Sequence, residues 1–181
     1  MGESMEKHHL GVLIDSETVE KRIREVAEQI NRDYAGKELH MICILKGSVP
    51  FMAQLSKYIT VPVTFDYMSC SSYGGGTTSS GAVRMNKDLD EPIEGRHVII
   101  IEDIIDSGNT LWYLQDILAR RKPASLKLAT LLDKPSRRVH PEVKVDYCCF
   151  TIEDKFVVGY GLDYDQHYRN LNYIGYVIFD E

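Results

Sequence analysis

No apolar run in the 181-residue chain approaches the roughly 20 residues that span a bilayer, so no membrane-crossing helix is expected. The opening MGESMEKHHLG is polar and lacks the apolar centre of a secretory leader, which makes the cytoplasm the expected compartment. Surplus positive charge is missing too. Lys and Arg number 21 against 27 Asp and Glu, a net charge of -6, which argues against binding nucleic acid or an anionic membrane nonspecifically. None of the four cysteines falls in a CxxC or Cys/His pattern with zinc spacing. Cys43 and the adjacent Cys148 and Cys149 lie within apolar segments, and the cysteines are expected to be reduced and mostly packed. Internal repeats are absent, and the only Gly/Ser/Thr-rich stretch is SCSSYGGGTTSSG at residues 69–81. With 44% hydrophobic residues, the chain suits one core and one domain over residues 1–181.

Helical and strand patterns alternate along that domain. Leu10 to Ile14 is a short apolar strand, after which Asp15 or Ser16 caps a helix carrying Val19, Ile23, Val26, Ala27 and Ile30 on one face. The charges Glu17, Glu20, Lys21, Arg22, Arg24, Glu25 and Glu28 fall mostly on the other, solvated side. Strands are expected at Leu39–Leu45, Val61–Met68, Val98–Ile101, Leu126–Leu132 and Val145–Ile152, with helices at Phe51–Tyr58 and Thr110–Arg121. This order predicts an α/β fold, a mainly parallel sheet flanked by helices. Phe156 to Glu181 is broken by Gly159, Gly161 and Gly175 and is expected to fold back with the N-terminal residues as a small hood.

His97 to Thr110 reads HVIIIEDIIDSGNT. The unbroken β-branched run is that of a strand covered on both faces, and it delivers Glu102 and Asp103 to the strand's carboxyl end, where open α/β sheets bind ligands. Two carboxylates there suit sugar hydroxyls or a hard cation such as Mg²⁺. Asp106-Ser107-Gly108-Asn109-Thr110 then offers backbone N–H groups, hydroxyls and a helix N-terminus, an anion cradle. Ser107 or Thr110 acting only as a helix cap is the plainer alternative. In combination, the groups describe a site for a sugar phosphate.

This segment resembles the phosphoribosyl pyrophosphate (PRPP) signature of type I phosphoribosyltransferases, and EDIIDSGNT is most similar to the form found in the hypoxanthine-guanine phosphoribosyltransferase family. The resemblance runs in order through LKG, SSY, EDIIDSGNT, DK and FVVGYGLDY…R, nearly the whole chain. It implies the type I phosphoribosyltransferase fold, with a hood from roughly residues 1–14 and 156–181. Lys46-Gly47, by itself an ordinary turn after a strand, becomes the pyrophosphate loop, often built around a cis peptide. Ser72-Tyr73, in what reads otherwise as a solvent loop, becomes the pair that closes over the reacting sugar. Lys134, otherwise a surface lysine, donates to a purine 6-oxo group, a task that requires a donor-only group. Phe156, by default core, lies on the purine face while the backbone near Val157 reads the ring edge. Asp163 attends Mg²⁺ or a water around it, and Arg169 grips pyrophosphate through its planar fork. Asn109 is a departure, since some relatives carry a basic residue there. The chain also lacks the C-terminal extension of longer relatives, as in short bacterial forms.

The implied reaction is Mg²⁺-dependent purine salvage, moving ribose 5-phosphate from PRPP to N9 of hypoxanthine or guanine with inversion at C1. Ser107, Gly108, Asn109 and Thr110, with Asp106, hold the 5-phosphate. Glu102 and Asp103 address ribose hydroxyls and, with Asp163, the metal. Lys46, Gly47 and Arg169 take the leaving group, and Asp106 is the general base for the purine N7/N9 proton. The expected partners are PRPP, a 6-oxopurine and further copies of the chain in a homodimer or homotetramer. Alternatives left open are a xanthine-preferring or uracil enzyme and a nucleic-acid-binding regulator of the same fold. An intact Asp106 and an acidic chain weigh against the regulator.

Overall fold

The computed structural model describes residues 7–72 and 83–180. Strand β1 (His8–Ile14) leads to helix α1 (Ser16–Asp33), which Asp15 caps by accepting the Thr18 N–H at 2.8 Å. The expected Val19, Ile23, Val26, Ala27 and Ile30 are its buried residues. Its polar face is less uniformly solvated than the sequence suggested. Arg22 donates to the carbonyls of Cys148 and Cys149 at 3.0 and 2.9 Å, satisfying acceptors on an edge strand.

Next come β2 (Leu39–Leu45), α2 (Val49–Ser56), β3 (Val63–Ser72), β4 (Val83–Lys87), β5 (His97–Ile105), α3 (Asn109–Arg120), β6 (Ser125–Asp133), a 3-10 turn (Pro135–Arg137) and β7 (Tyr147–Thr151). The main sheet has the order β4-β3-β2-β5-β6-β7 and is parallel except for β4, which pairs antiparallel with β3 at one edge. One apolar cluster packs α1 and α2 against Met41, Cys43, Ile99 and Ile101, and the other packs α3 against Ile42, Ile44, Val98 and Ile100. Adjacent residues of β2 and β5 thus face opposite layers, which is why their sequences are apolar without alternation. Burial raises the thiol pKa of both Cys43 and Cys149 to about 12, as suits packing residues. All four cysteines are free.

Because β2 connects through α2 to β3 and β5 through α3 to β6, the sheet's winding reverses between β2 and β5. That reversal opens a crevice at their carboxyl ends. A second, antiparallel sheet joins the chain ends in the order β1-β9-β8, with β8 at Val157–Val158 and β9 at Ile174–Phe179. Among the described residues no helix is long and apolar enough to cross a membrane.

Candidate active site

Strand β5 extends to Ile105, two residues beyond the acid pair expected at its carboxyl end, so Glu102 and Asp103 lie inside it and Asp106 is the first residue past it. Glu102 is only 7% exposed, and its carboxylate accepts from the Ser48 hydroxyl at 3.3 Å. Burial pushes its pKa well above the usual carboxylate range, and the neighbouring Asp103 charge adds to this. Asp103 is raised as well, chiefly by burial, against the pull of the Ile104 N–H at 2.7 Å and the Arg169 charge. Desolvation is thus the main cost of ionising this acid pair.

That cost has a measurable consequence. Both acids have folded-state pKa values above their unfolded ones, so their contribution to stability is complete below about pH 4 and lost as pH rises through the raised values. Glu102→Gln removes the larger effect. The melting temperature of the variant should therefore gain on the parent between pH 5 and pH 8, by about 2 °C or more. An identical difference at both pH values would show that burial of this charge costs nothing.

Across the crevice, Leu45-Lys46 is a cis peptide. A Cβ added to Gly47 would coincide with the Asp103 carboxylate, and one added to Gly161 would coincide with the Gly47 carbonyl. The turn after β2, the acid pair and the 159–169 segment therefore meet at backbone distance, which only glycine permits. Arg169 pairs with Asp163 at 2.9 Å and donates to the Gly161 carbonyl at 2.7 Å. The other Asp163 oxygen accepts the Gln166 N–H at 2.8 Å. Lys46 and Arg169 converge on the Gln166 side-chain oxygen, at 3.4 and 3.2 Å. Lys46, Gly47, Asp103, Asp163 and Arg169 are thus one neighbourhood. The proposed metal ligands Glu102, Asp103 and Asp163 do not form a ready-made cage, since no three His, Cys, Asp or Glu side chains do so among the described residues.

Next to this lies a pocket of about 210 Å³ lined by Glu102, Ile104 to Thr110 and Leu111. Gly108, at φ 83°, is the N-cap of α3 and has no side chain to cap it. Ser107 contributes one long bond there, its hydroxyl accepting the Asn109 N–H at 3.4 Å, so capping accounts for one of the groups at the helix start. A left-handed glycine makes the turn and leaves the other N–H groups at the helix start directed to the pocket.

Asp106 does not stand alone. Arg137 Nε lies 3.1 Å from Asp106 Oδ1, while Arg137 Nη1 lies 3.1 Å from Asp154 Oδ2. The other Asp154 oxygen is 3.5 Å from Lys134 Nζ. Lys134, with its side chain 8% exposed, is buried in the way lysines are only when paired. Arg137 and Asp154 were missed in the sequence, where KPSRR and IED carry no spacing that points to Asp106.

Phe156 is 50% exposed and meets Tyr164 edge to face at 5.6 Å. β8 is an edge strand whose partner β9 takes the Phe156 carbonyl through the Val177 N–H at 2.9 Å. Antiparallel alternation then turns the backbone groups of Val157 to the open side. Ser72 ends β3, opposite Val83, and Tyr73 lies outside the described residues.

An open parallel sheet with an anion pocket, an acid pair and a cationic turn at its switch point defines an α/β protein that handles a sugar phosphate. The phosphoribosyl transferase domain family matches residues 11–165, and the chain belongs to that family. It is 50% identical over 171 residues to the hypoxanthine-guanine phosphoribosyltransferase of Streptococcus thermophilus, covering 94% of each chain. To the hypoxanthine phosphoribosyltransferase of Haemophilus influenzae it is 50% identical over 180 residues, 98% of this chain and 100% of that one. Among solved structures, a hypoxanthine-guanine phosphoribosyltransferase from Bacillus anthracis superposes with a TM-score of 0.89 at 46% identity, covering 93% of this chain and 98% of that one.

Proposed function

We propose that the chain catalyses the hypoxanthine-guanine phosphoribosyltransferase reaction of purine salvage. Ribose 5-phosphate passes from PRPP to N9 of hypoxanthine or guanine, giving IMP or GMP and pyrophosphate with inversion at C1. The observation that carries this reading is the meeting of a pocket at the start of α3, an acid pair whose Glu102 is buried, and a buried lysine at one end of the sheet. Asp106, Ser107, Gly108, Asn109 and Thr110 hold the 5-phosphate through the amides at the start of α3. Glu102 and Asp103 orient the ribose hydroxyls. Lys46, the Gly47 backbone and Arg169 receive the pyrophosphate as its bond to C1 loosens, so that charge leaving the sugar is met where it accumulates.

Lys134 donates to the purine 6-oxo group, Phe156 covers one ring face, and the outward backbone of Val157 reads the ring edge. A base in this place presents N9 to C1 from the side opposite the leaving group, and Asp106 takes the proton from the N7/N9 pair. Tyr73 beside Ser72 is the group expected to close over the sugar and keep water out.

The acid pair fits Mg²⁺. Glu102 is buried and Asp103 beside it partly so, both are raised in pKa by desolvation, and a hard cation with oxygen ligands completes such a set together with substrate oxygens. Glu102 and Asp103, with Asp163, would hold it, and when bound it supplies neutralisation of phosphate charge.

We place the protein in the cytoplasm as a homodimer or homotetramer. Phe65 and Tyr67, side by side on one face of β3 and 46% and 37% exposed, favour association. The test of function is a panel of bases incubated with PRPP and Mg²⁺, following nucleotide formation. Hypoxanthine and guanine should both give product. Product from uracil or xanthine alone would redirect the assignment, and product from no base would end it.

A further inference from the structure

The phosphate loop is pressed from outside by residues 138–143. The Val139 N–H donates to the Ser107 carbonyl at 2.9 Å, and a Cβ on Gly108 would touch Arg138 Cδ at 3.0 Å. His140 belongs to this buttress and is not used by the chemistry described above. Its Nε2 lies 2.9 Å from Asn109 Oδ1, its Nδ1 lies 3.4 Å from Glu142 Oε1, and its ring stacks on Trp112 at 4.7 Å with an interplanar angle of 10°. Glu142 is held below the usual carboxylate range, first by its own backbone N–H and then by His140, with the Trp112 side chain adding to the effect.

Asn109 lines the pocket and opens α3. Its side-chain amide has a donor end and an acceptor end, and the two have opposite effects on an anion. Left free to turn, the amide would present oxygen to a phosphate as readily as nitrogen. Fixing the oxygen elsewhere removes the repulsive orientation.

We propose that His140 is a positioning residue for the phosphate site, donating Nε2–H to Asn109 Oδ1 so that the Asn109 NH₂ group faces the bound 5-phosphate. This deepens the proposed reaction and rests on it for the identity of the anion. The role is confined to the phosphate end of the substrate. Purine affinity and the chemical step, which depend on Lys134, Phe156 and Asp106, should not feel it.

His140→Ala is expected to raise KM for PRPP about fivefold to tenfold, the loss of one oriented hydrogen bond to a charged group, with kcat and purine KM within about twofold. In an Asn109→Ala background the same substitution should cost no more than about twofold, because the group it orients is gone. Trp112 is the only tryptophan, so its fluorescence reports on this corner without turnover. Titration with ribose 5-phosphate should give a saturable change in the parent and a weaker midpoint in His140→Ala.

Three results would overturn the proposal. One is an equal loss in both backgrounds, which would mean that His140 acts through something other than Asn109. Another is parallel loss of kcat and purine affinity, the mark of a general structural defect. The third is tighter PRPP binding in His140→Ala, which would mean that Asn109 donates to His140 and turns its oxygen to the anion. A parent protein that makes no nucleotide, yet binds ribose 5-phosphate in a His140-dependent way, would remove the reaction and leave the positioning role standing.

Discussion

Replacing Asp106 by Asn should lower turnover by about 10²-fold or more while leaving PRPP affinity largely intact. The substitution keeps the shape of the side chain and an oxygen for Arg137, which lies 3.1 Å from Asp106 Oδ1 in the parent. What it removes is the capacity to accept a proton. The Asp106–Arg137 pair is exposed, with side-chain accessibilities of 44% and 53%, and such pairs contribute about 1 kcal/mol or less, so the fold should persist. Single-turnover nucleotide formation, beside calorimetric binding of PRPP, separates the two effects. Unchanged turnover would show that Asp106 is not the base. A collapse of PRPP affinity would show that its part lies in holding phosphate instead.

Gly47→Ala should be at least as damaging, for a reason that involves no chemistry of its own. The new methyl would occupy the position of the Asp103 carboxylate, and the backbone has no room to retreat, because Gly161 packs against the Gly47 carbonyl. Asp103 must then swing away, giving up the Ile104 N–H that holds it at 2.7 Å. Displacing a substrate-orienting group by about 1 Å is enough to cost about 10²-fold in rate. We expect that loss with the circular dichroism spectrum unchanged, and Mg²⁺ should stabilise the variant less than the parent. Full activity in Gly47→Ala would mean that the close approach of the two segments is incidental.

Much of the site is legible before folding because its parts are consecutive. The run from Val98 through Thr110 is strand, acids, turn and helix start in one stretch, and the local preferences of β-branched residues, Gly108 and the helix N-terminus suffice to order them. The sequence places the acids at the carboxyl end of β5, and the strand runs two residues further because Ile104 and Ile105 pair with Leu132 and Asp133 of β6, a non-local contact. Strand β4, which is not among the strands expected from the sequence, depends likewise on a non-local partner. A strand at the edge is fixed by its one partner, and nothing in VRMNK states a direction.

Arg22 illustrates the limit from the other side. Its place on the helix predicts a solvated charge, yet it lies against the carbonyls of β7, which the sequence sets well over a hundred residues away. Arg137 and His140 share this property, joining Asp106 and Asn109 across the connection that follows β6.

The sequence by itself determined the class of chemistry: periodicity built the layers, and the acids, glycine and hydroxyls ordered from the end of β5 into α3 named a sugar phosphate as the ligand. Only the tertiary structure decided which charges neutralise one another. It set Asp103 against Gly47 at the switch between β2 and β5, tied Asp106 through Arg137 and Asp154 to Lys134, and placed His140 on Asn109. The physical reason is that backbone preferences act over a few residues, whereas these contacts depend on which strands lie side by side, and burial of the whole sheet settles that.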